Sequence, residues 1–254
     1  IPAYRKDIVD LDFILDDRAH NILASNVKYP VLFRKPWNAH MTGTLSVNSY
    51  DEFLNLLECI KESYLDNGLS PNKPSVIALV GPSGSGKTVI AEKVLEHEKF
   101  EKPISATTRK PRIGESKDAY HFVSEEEFLQ MKKEQKFAET TVYAGCCYGA
   151  ELSSINNILK SGKHCIIPID ISGAMALKMQ YRTCVIYVKR ERPELIDALI
   201  QRMIDGKMTK DDTVRRIVSL SDEKRNEEVC DYILVNNGTI EAAAQKIFGT
   251  MKLK

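Results

Sequence analysis

Gly81-Pro82-Ser83-Gly84-Ser85-Gly86-Lys87-Thr88 stands between the apolar run Val76-Ile77-Ala78-Leu79-Val80 and the helical pattern Val89-Ile90-Ala91-Glu92-Lys93-Val94-Leu95. Strand, glycine-rich turn and helix are the context in which G-x-x-x-x-G-K-[ST] binds phosphate. Gly84 and Gly86 open backbone conformations closed to other residues, so successive N–H groups can converge on an anion. The helix start adds free N–H groups and the positive end of its dipole. Lys87 supplies a mobile positive charge for outer phosphates, and Thr88 a hydroxyl suited to a hard divalent cation. An ordinary glycine turn would not need the lysine, the threonine and both flanks at once.

Working outward, the chain alternates strands and helices. Val185-Ile186-Tyr187-Val188 and His164-Cys165-Ile166-Ile167-Pro168-Ile169-Asp170 read as buried strands, and Tyr232 to Asn237 as a last one. This pattern predicts an α/β fold, a parallel sheet with helices on both faces. Ser124-Glu125-Glu126-Glu127 reads as a capping box for a helix bearing Phe128, Leu129 and Met131. Glu151 to Lys160 forms a further helix ending at Gly162, and Thr239 caps a C-terminal one.

The 254 residues suit one large domain or one domain with an appendage. Lys and Arg total 36 against 35 Asp and Glu, a net charge of +1, so nucleic acid is not an expected partner. No apolar run nears the roughly 18 residues that cross a bilayer. The six cysteines lack metal-ligand spacing. Cys165 and Cys184 sit in apolar runs as small hydrophobes, and Cys146-Cys147 read as ordinary thiols, with a reactive pair as the alternative. A reducing, cytoplasmic setting is expected, and Ile1 to Asp7 does not read as a signal peptide.

Residues 1–74 read as an extension or small α/β subdomain, short for an independently stable domain. Residues 8–15 are ambiguous between strand and helix, Tyr29 to Phe33 reads as a strand, and a helix starts near Tyr50 with Phe53, Leu54, Leu56, Leu57, Ile60 and Tyr64 on its apolar face. Asn67-Gly68 stops it, and Ser70 to Pro74 is a connection. The segment is expected to dock on the rest, or to serve self-association or a partner. Trp37 with Arg34 and Lys35 offers a contact surface, with a buried Trp37 anchor as the alternative.

Arg109 and Arg112 lie on the Pro-broken stretch Ser105-Ala106-Thr107-Thr108-Arg109-Lys110-Pro111-Arg112-Ile113-Gly114-Glu115. Guanidinium groups bind phosphate bidentately, and the Ser/Thr/Gly framing suits an anion site better than a solvated basic loop. With Asp118-Ala119-Tyr120-His121-Phe122-Val123, Phe137-Ala138-Glu139 and Gly145-Cys146-Cys147-Tyr148-Gly149, this stretch resembles the acceptor site of guanylate kinases. The resemblance spans about residues 75–250. It implies a P-loop three-layer sandwich, residues 75–254, with an acceptor-binding lobe near 103–160, a lid near 203–215 and the N-terminal extension. It implies that ATP, with Mg²⁺ on Thr88, binds Gly81, Pro82, Ser83, Gly84, Ser85, Gly86, Lys87 and Thr88, with Asn236 on the adenine side. Arg109, Arg112, Tyr120 and Tyr148 would hold the acceptor phosphate. Ser105, Glu139 and Asp170 would lie at its base, where a carboxylate can accept two hydrogen bonds from one guanine edge. Lys87 and the lid arginines Arg202 and Arg216 would carry catalysis. Lys207 would lie near adenine, and Arg215 would be a solvated charge.

The sequence departs from that family in two places of consequence. Ala150 stands where a Ser or Thr hydroxyl usually reads guanine, and Pro168 replaces the first acid of an acid-x-acid strand. Glu115 and Tyr120 are also one residue closer than is common. The expected activity is transfer of the γ-phosphoryl of ATP to GMP or dGMP. The alternatives are a kinase for another nucleotide, prompted by Ala150 and Pro168, and a phosphopeptide-binding scaffold, against which Lys87 and Thr88 argue.

Overall fold

The computed structural model describes residues 12–25, 27–39, 41, 44–63, 73–111, 120–143 and 145–251. The described residues open with β1 (Phe13–Asp16), α1 (Ala19–Ala24), β2 (Tyr29–Phe33), β3 (Ser46–Val47) and α2 (Tyr50–Ser63). The ambiguous stretch is therefore a strand from Phe13 onward; residues 8–11, the expected helix stop at Asn67-Gly68 and most of the following connection lie outside the described residues. β1, β2 and β3 pair in parallel in that order.

The central layer follows. β4 (Val76–Val80) leads into α3 (Lys87–Val94), then β5 (Phe100–Glu101). β6 (Ser105–Thr107), β7 (His121–Phe122), α4 (Glu125–Lys133), β8 (Phe137–Tyr143) and β9 (Cys146–Glu151) form a lobe, and α5 (Leu152–Lys160) returns the chain. β10 (His164–Pro168), α6 (Ile171–Lys178), β11 (Thr183–Lys189), α7 (Arg192–Ile204), α8 (Lys210–Glu223), β12 (Tyr232–Val235) and α9 (Ile240–Thr250) complete it. The main sheet runs β12-β11-β4-β10-β5, all parallel, with β4 in the middle.

Period-2 alternation explains why β4 is apolar throughout. Val76, Ala78 and Val80 pack on one face with Cys165, Ile167, Val185 and Tyr187. Ile77 and Leu79 pack on the other with Ile90 of α3 and Ala244 and Ile247 of α9. A strand buried on both faces has no polar side to alternate with. The N-terminal sheet joins the first of these cores through Tyr29, Val31, Leu45, Val47 and Leu56. Leu54, expected on the apolar face of α2, is exposed, as is Trp37 at 62%; this excludes the buried-anchor reading.

The capping box forms as expected: Glu127 N–H donates to Ser124 Oγ at 3.1 Å, and Ser124 N–H to Glu127 Oε2 at 2.8 Å. Among the described residues no helix is long and apolar enough to cross a membrane. Burial pushes the Cys165 and Cys230 thiols up, so both stay protonated.

Candidate active site

The phosphate loop leaves β4 and enters α3 at the carboxyl edge of the sheet. Gly84 (φ +90°) and Gly86 (φ +97°) take left-handed conformations, and so does Gly81 (φ +134°), which the motif reading did not single out. A Cβ on Gly81 would lie 2.6 Å from the Val188 carbonyl oxygen of β11, so close strand approach adds to the backbone demand. Lys87 Nζ donates to the carbonyls of Gly81 (2.5 Å) and Pro82 (2.9 Å), folding over the loop. Thr88 is exposed at the head of α3. One exposed hard oxygen fits a Mg²⁺ ion carried chiefly by phosphates.

Neighbouring strands supply supports that motif reading missed. Arg190, just after β11, donates through Nη1 to Gly84 O at 3.2 Å. Asn236, just after β12, donates to Ser85 O at 2.7 Å, so its amide holds the loop itself. Arg216 of α8 reaches the loop and donates to Ser83 Oγ. Arg202 is exposed in the last turn of α7. Lys207 pairs with Asp205 at 3.1 Å.

The lobe is a sheet ordered β7-β6-β9-β8. Its register sets Ser105 opposite Ala150 and Ala150 opposite Glu139, and likewise Thr107, Tyr148 and Thr141. Directly opposed residues share a face, as do residues two apart, so Ser105, Tyr148 and Glu139 line one face. Gly149 lies inside β9, and Gly145 (φ +77°), just before that strand, takes a left-handed conformation.

Tyr120 and Tyr148 meet edge to face, with ring centroids 6.1 Å apart. The Arg109 guanidinium lies 5.4 Å from the Tyr120 ring centroid and 5.6 Å from that of Phe122, and it donates to Lys110 O at 2.8 Å. The structure thus gathers Arg109, Tyr120 and Tyr148; Arg112 lies outside the described residues.

Glu139 is only 9% exposed. Its Oε1 accepts the Ala150 N–H at 3.1 Å, while Oε2 is buried with no hydrogen-bond partner among the described residues. Burial, reinforced by the nearby Asp170 charge, pushes its carboxyl up to about 8. Asp170 follows β10 and caps α6: Oδ1 accepts Gly173 N–H at 2.8 Å, and Oδ2 accepts Thr141 Oγ1 at 2.7 Å. A Cβ on Gly173 would approach Glu139 Oε2 to 3.0 Å and the Ile169 side chain to 2.6 Å. A glycine inside an apolar helix is a sequence signal for such a close approach, one the motif-based reading passed over. Ala150 is fully buried behind Glu139.

Both centres share one edge of the sheet. β10 pairs with β4 at Pro168 and Leu79, and Ile169 N–H donates to Leu79 O at 3.0 Å. Asp170 and the phosphate loop therefore leave adjacent parallel strands at their carboxyl ends, where open α/β sheets bind ligands.

A glycine-rich anion loop at that edge, with a separate lobe presenting a buried carboxylate beside it, defines a P-loop phosphotransferase. Residues 73–252 match the Guanylate kinase family. The chain is 37% identical over 180 residues to the guanylate kinase of Clostridium perfringens (strain 13 / Type A), covering 69% of this chain and 82% of that one. It is 33% identical over 175 residues to the guanylate kinase of Chlamydia trachomatis serovar D, covering 66% and 83%. The fold matches the crystal structure of guanylate kinase from Anaplasma phagocytophilum with a TM-score of 0.57 at 24% identity, over 71% of this chain and 86% of that one. The chain belongs to the guanylate kinase family.

Proposed function

We propose that the chain transfers the γ-phosphoryl group of ATP, bound with Mg²⁺, to GMP or dGMP. The observation that carries this reading is Glu139 Oε2, a buried oxygen without a partner among the described residues, on the strand row that also carries Ser105. Guanine offers adjacent N–H donors to such a carboxylate; adenine does not. Asp170 and Ser105 flank it, and Arg109, Tyr120 and Tyr148, joined by Arg112, take the acceptor phosphate.

An acceptor phosphate oxygen attacks the γ-phosphorus while the bond to the bridging oxygen of ADP breaks. The acceptor is already an anion, so no strong general base is required. Catalysis rests on alignment and on spreading the negative charge. Lys87 turns from the loop carbonyls to the phosphates, Arg216 enters from α8 beside Ser83, and Arg202 joins when the 203–215 segment closes over the nucleotides. The phosphate loop and Thr88 hold the triphosphate end, Mg²⁺ supplies charge neutralisation there, and Asn236 steadies the loop on the adenine side. Closure also excludes water and suppresses ATP hydrolysis.

A panel of nucleoside monophosphates with ATP tests the reading. Fastest turnover is expected with GMP and dGMP. Preference for a non-guanine acceptor would transfer the case to another nucleotide, and no turnover with any acceptor would leave a binding module.

A further inference from the structure

Residues i and i+2 of a regular strand share a face. Phe137 and Glu139 of β8 do not. The Phe137 ring stacks on Phe128 of α4, with centroids 4.6 Å apart, and it covers Gly149, where a Cβ would lie 2.7 Å from it. Glu139 lies on the opposite face, with Ala150 and Ser105, and its Oε2 stands 3.0 Å from where a Gly173 Cβ would be. The cause is a bulge. Phe137 pairs with Glu151 of β9 and Glu139 with Ala150, so Ala138 is an extra residue between them. In an unbroken ladder Ala138 would face Ala150, and Glu139 would face Gly149 on the side of Phe137. A slip of one residue exchanges the two faces, so the carboxylate would leave the pocket.

The bulge is held from α6. Gln180, just past that helix, donates through Nε2 to Ala138 O at 2.6 Å and to Ala176 O at 3.1 Å. Ala176 belongs to the last turn of α6, where carbonyls have no helical donor. One amide therefore joins the end of the helix to the extra residue of the strand. At the other end of α6, Asp170 Oδ2 accepts the Thr141 hydroxyl at 2.7 Å. Ala138 and Thr141 flank Glu139 in β8, so the strand is pinned to α6 on both sides of the carboxylate. Ala138 is buried, and a buried carbonyl that loses its donor is costly. Gln180 itself is mostly exposed, so its substitution removes little core packing.

We propose that Gln180 is a positioning residue for the acceptor base: by holding the Ala138 carbonyl it maintains the bulge that turns Glu139 into the pocket. This inference rests on the acceptor-site reading above.

The test is steady-state kinetics on the full chain with Gln180→Met and Gln180→Lys, each also measured for its thermal midpoint. Methionine matches glutamine in length and donates nothing; lysine restores a donor. Gln180→Met is expected to raise the GMP KM about 5- to 10-fold, the size of one hydrogen bond, with the ATP KM within about twofold and the thermal midpoint lowered by a few degrees at most. Gln180→Lys is expected to recover most of the loss. In a Glu139→Ala background Gln180→Met is expected to shift the GMP KM by less than about twofold, because no carboxylate is left to position. An unchanged GMP KM in Gln180→Met, an equal rise in both KM values, no recovery in Gln180→Lys, or a full effect in the Glu139→Ala background would overturn the proposal while leaving the functional reading standing. Wild-type protein that neither binds nor phosphorylates GMP would overturn both.

Discussion

Glu139 and Lys87 show how single side chains are prepared for a ligand. The Glu139 carboxyl, lifted to about 8 from an ordinary 4.5, is protonated in the free protein at neutral pH. Its folded-state value lies above its unfolded value, so its contribution to stability is complete below about 4.5 and is lost as pH rises through about 8. Unfolding free energy of the free protein is expected to fall across that window, and Glu139→Gln to flatten the fall; denaturant titrations against pH check this. Guanine binding calls for the ionised form. Calorimetry in buffers of different ionisation enthalpy is expected to show proton release on GMP binding near neutral pH, and none in Glu139→Gln. Lys87 donates to the Gly81 and Pro82 carbonyls of its own loop, contacts that tie it to the loop rather than to the core. Lys87→Ala is expected to lower kcat by about 10²-fold or more, as losing a charge that acts on the transition state does. GMP affinity and thermal midpoint should stay near wild type; stopped assays with parallel calorimetry separate these quantities.

α6 illustrates an element with two duties at one residue. Asp170 caps the helix through Gly173 N–H and also takes the Thr141 hydroxyl from the lobe. Asparagine caps a helix as well as aspartate, whereas alanine does not. Asp170→Ala is therefore expected to cost about 1 kcal/mol or somewhat more, and Asp170→Asn much less. Both should weaken GMP binding, because both remove the charge. Thermal denaturation beside GMP titration distinguishes the cap from the pocket, and equal destabilisation by the two substitutions would argue against the cap. α8 works differently: it brings Arg216 to Ser83 from across the fold, so the helix itself delivers a cation to the phosphate loop.

Across the molecule, the N-terminal sheet and the matched region share apolar surface. Tyr29, Val31, Leu45, Val47 and Leu56 are buried against the same face of the central sheet as Val76, Ala78 and Val80. Arg225, beyond α8, adds bonds to Ile22 O at 3.0 Å and Ser25 O at 2.6 Å. Segments that bury one another's surface unfold together. Scanning calorimetry is expected to give one transition, with the van't Hoff and calorimetric enthalpies equal. Two resolved transitions would mean that the N-terminal sheet folds independently.

Much of this was readable in the chain. The turn from Gly81 to Thr88 and the apolar runs of β4, β10 and β11 follow from neighbours in sequence, because strand burial, glycine conformations and helix caps are local physics. Their spacing was enough for a parallel α/β sheet with the phosphate loop at a strand end. Other features depend on residues far apart. Arg216 meets Ser83 across 133 positions, and Ser46 meets Ser172 across 126. Arg34 looked like a surface cation beside Trp37, yet its guanidinium is tied to the Met41 and Asn38 backbone carbonyls. The role of Arg202 was drawn from resemblance; the residue is exposed in the last turn of α7. Packing decides such pairings because burial and charge compensation depend on what the folded chain brings alongside, and local sequence carries no record of it.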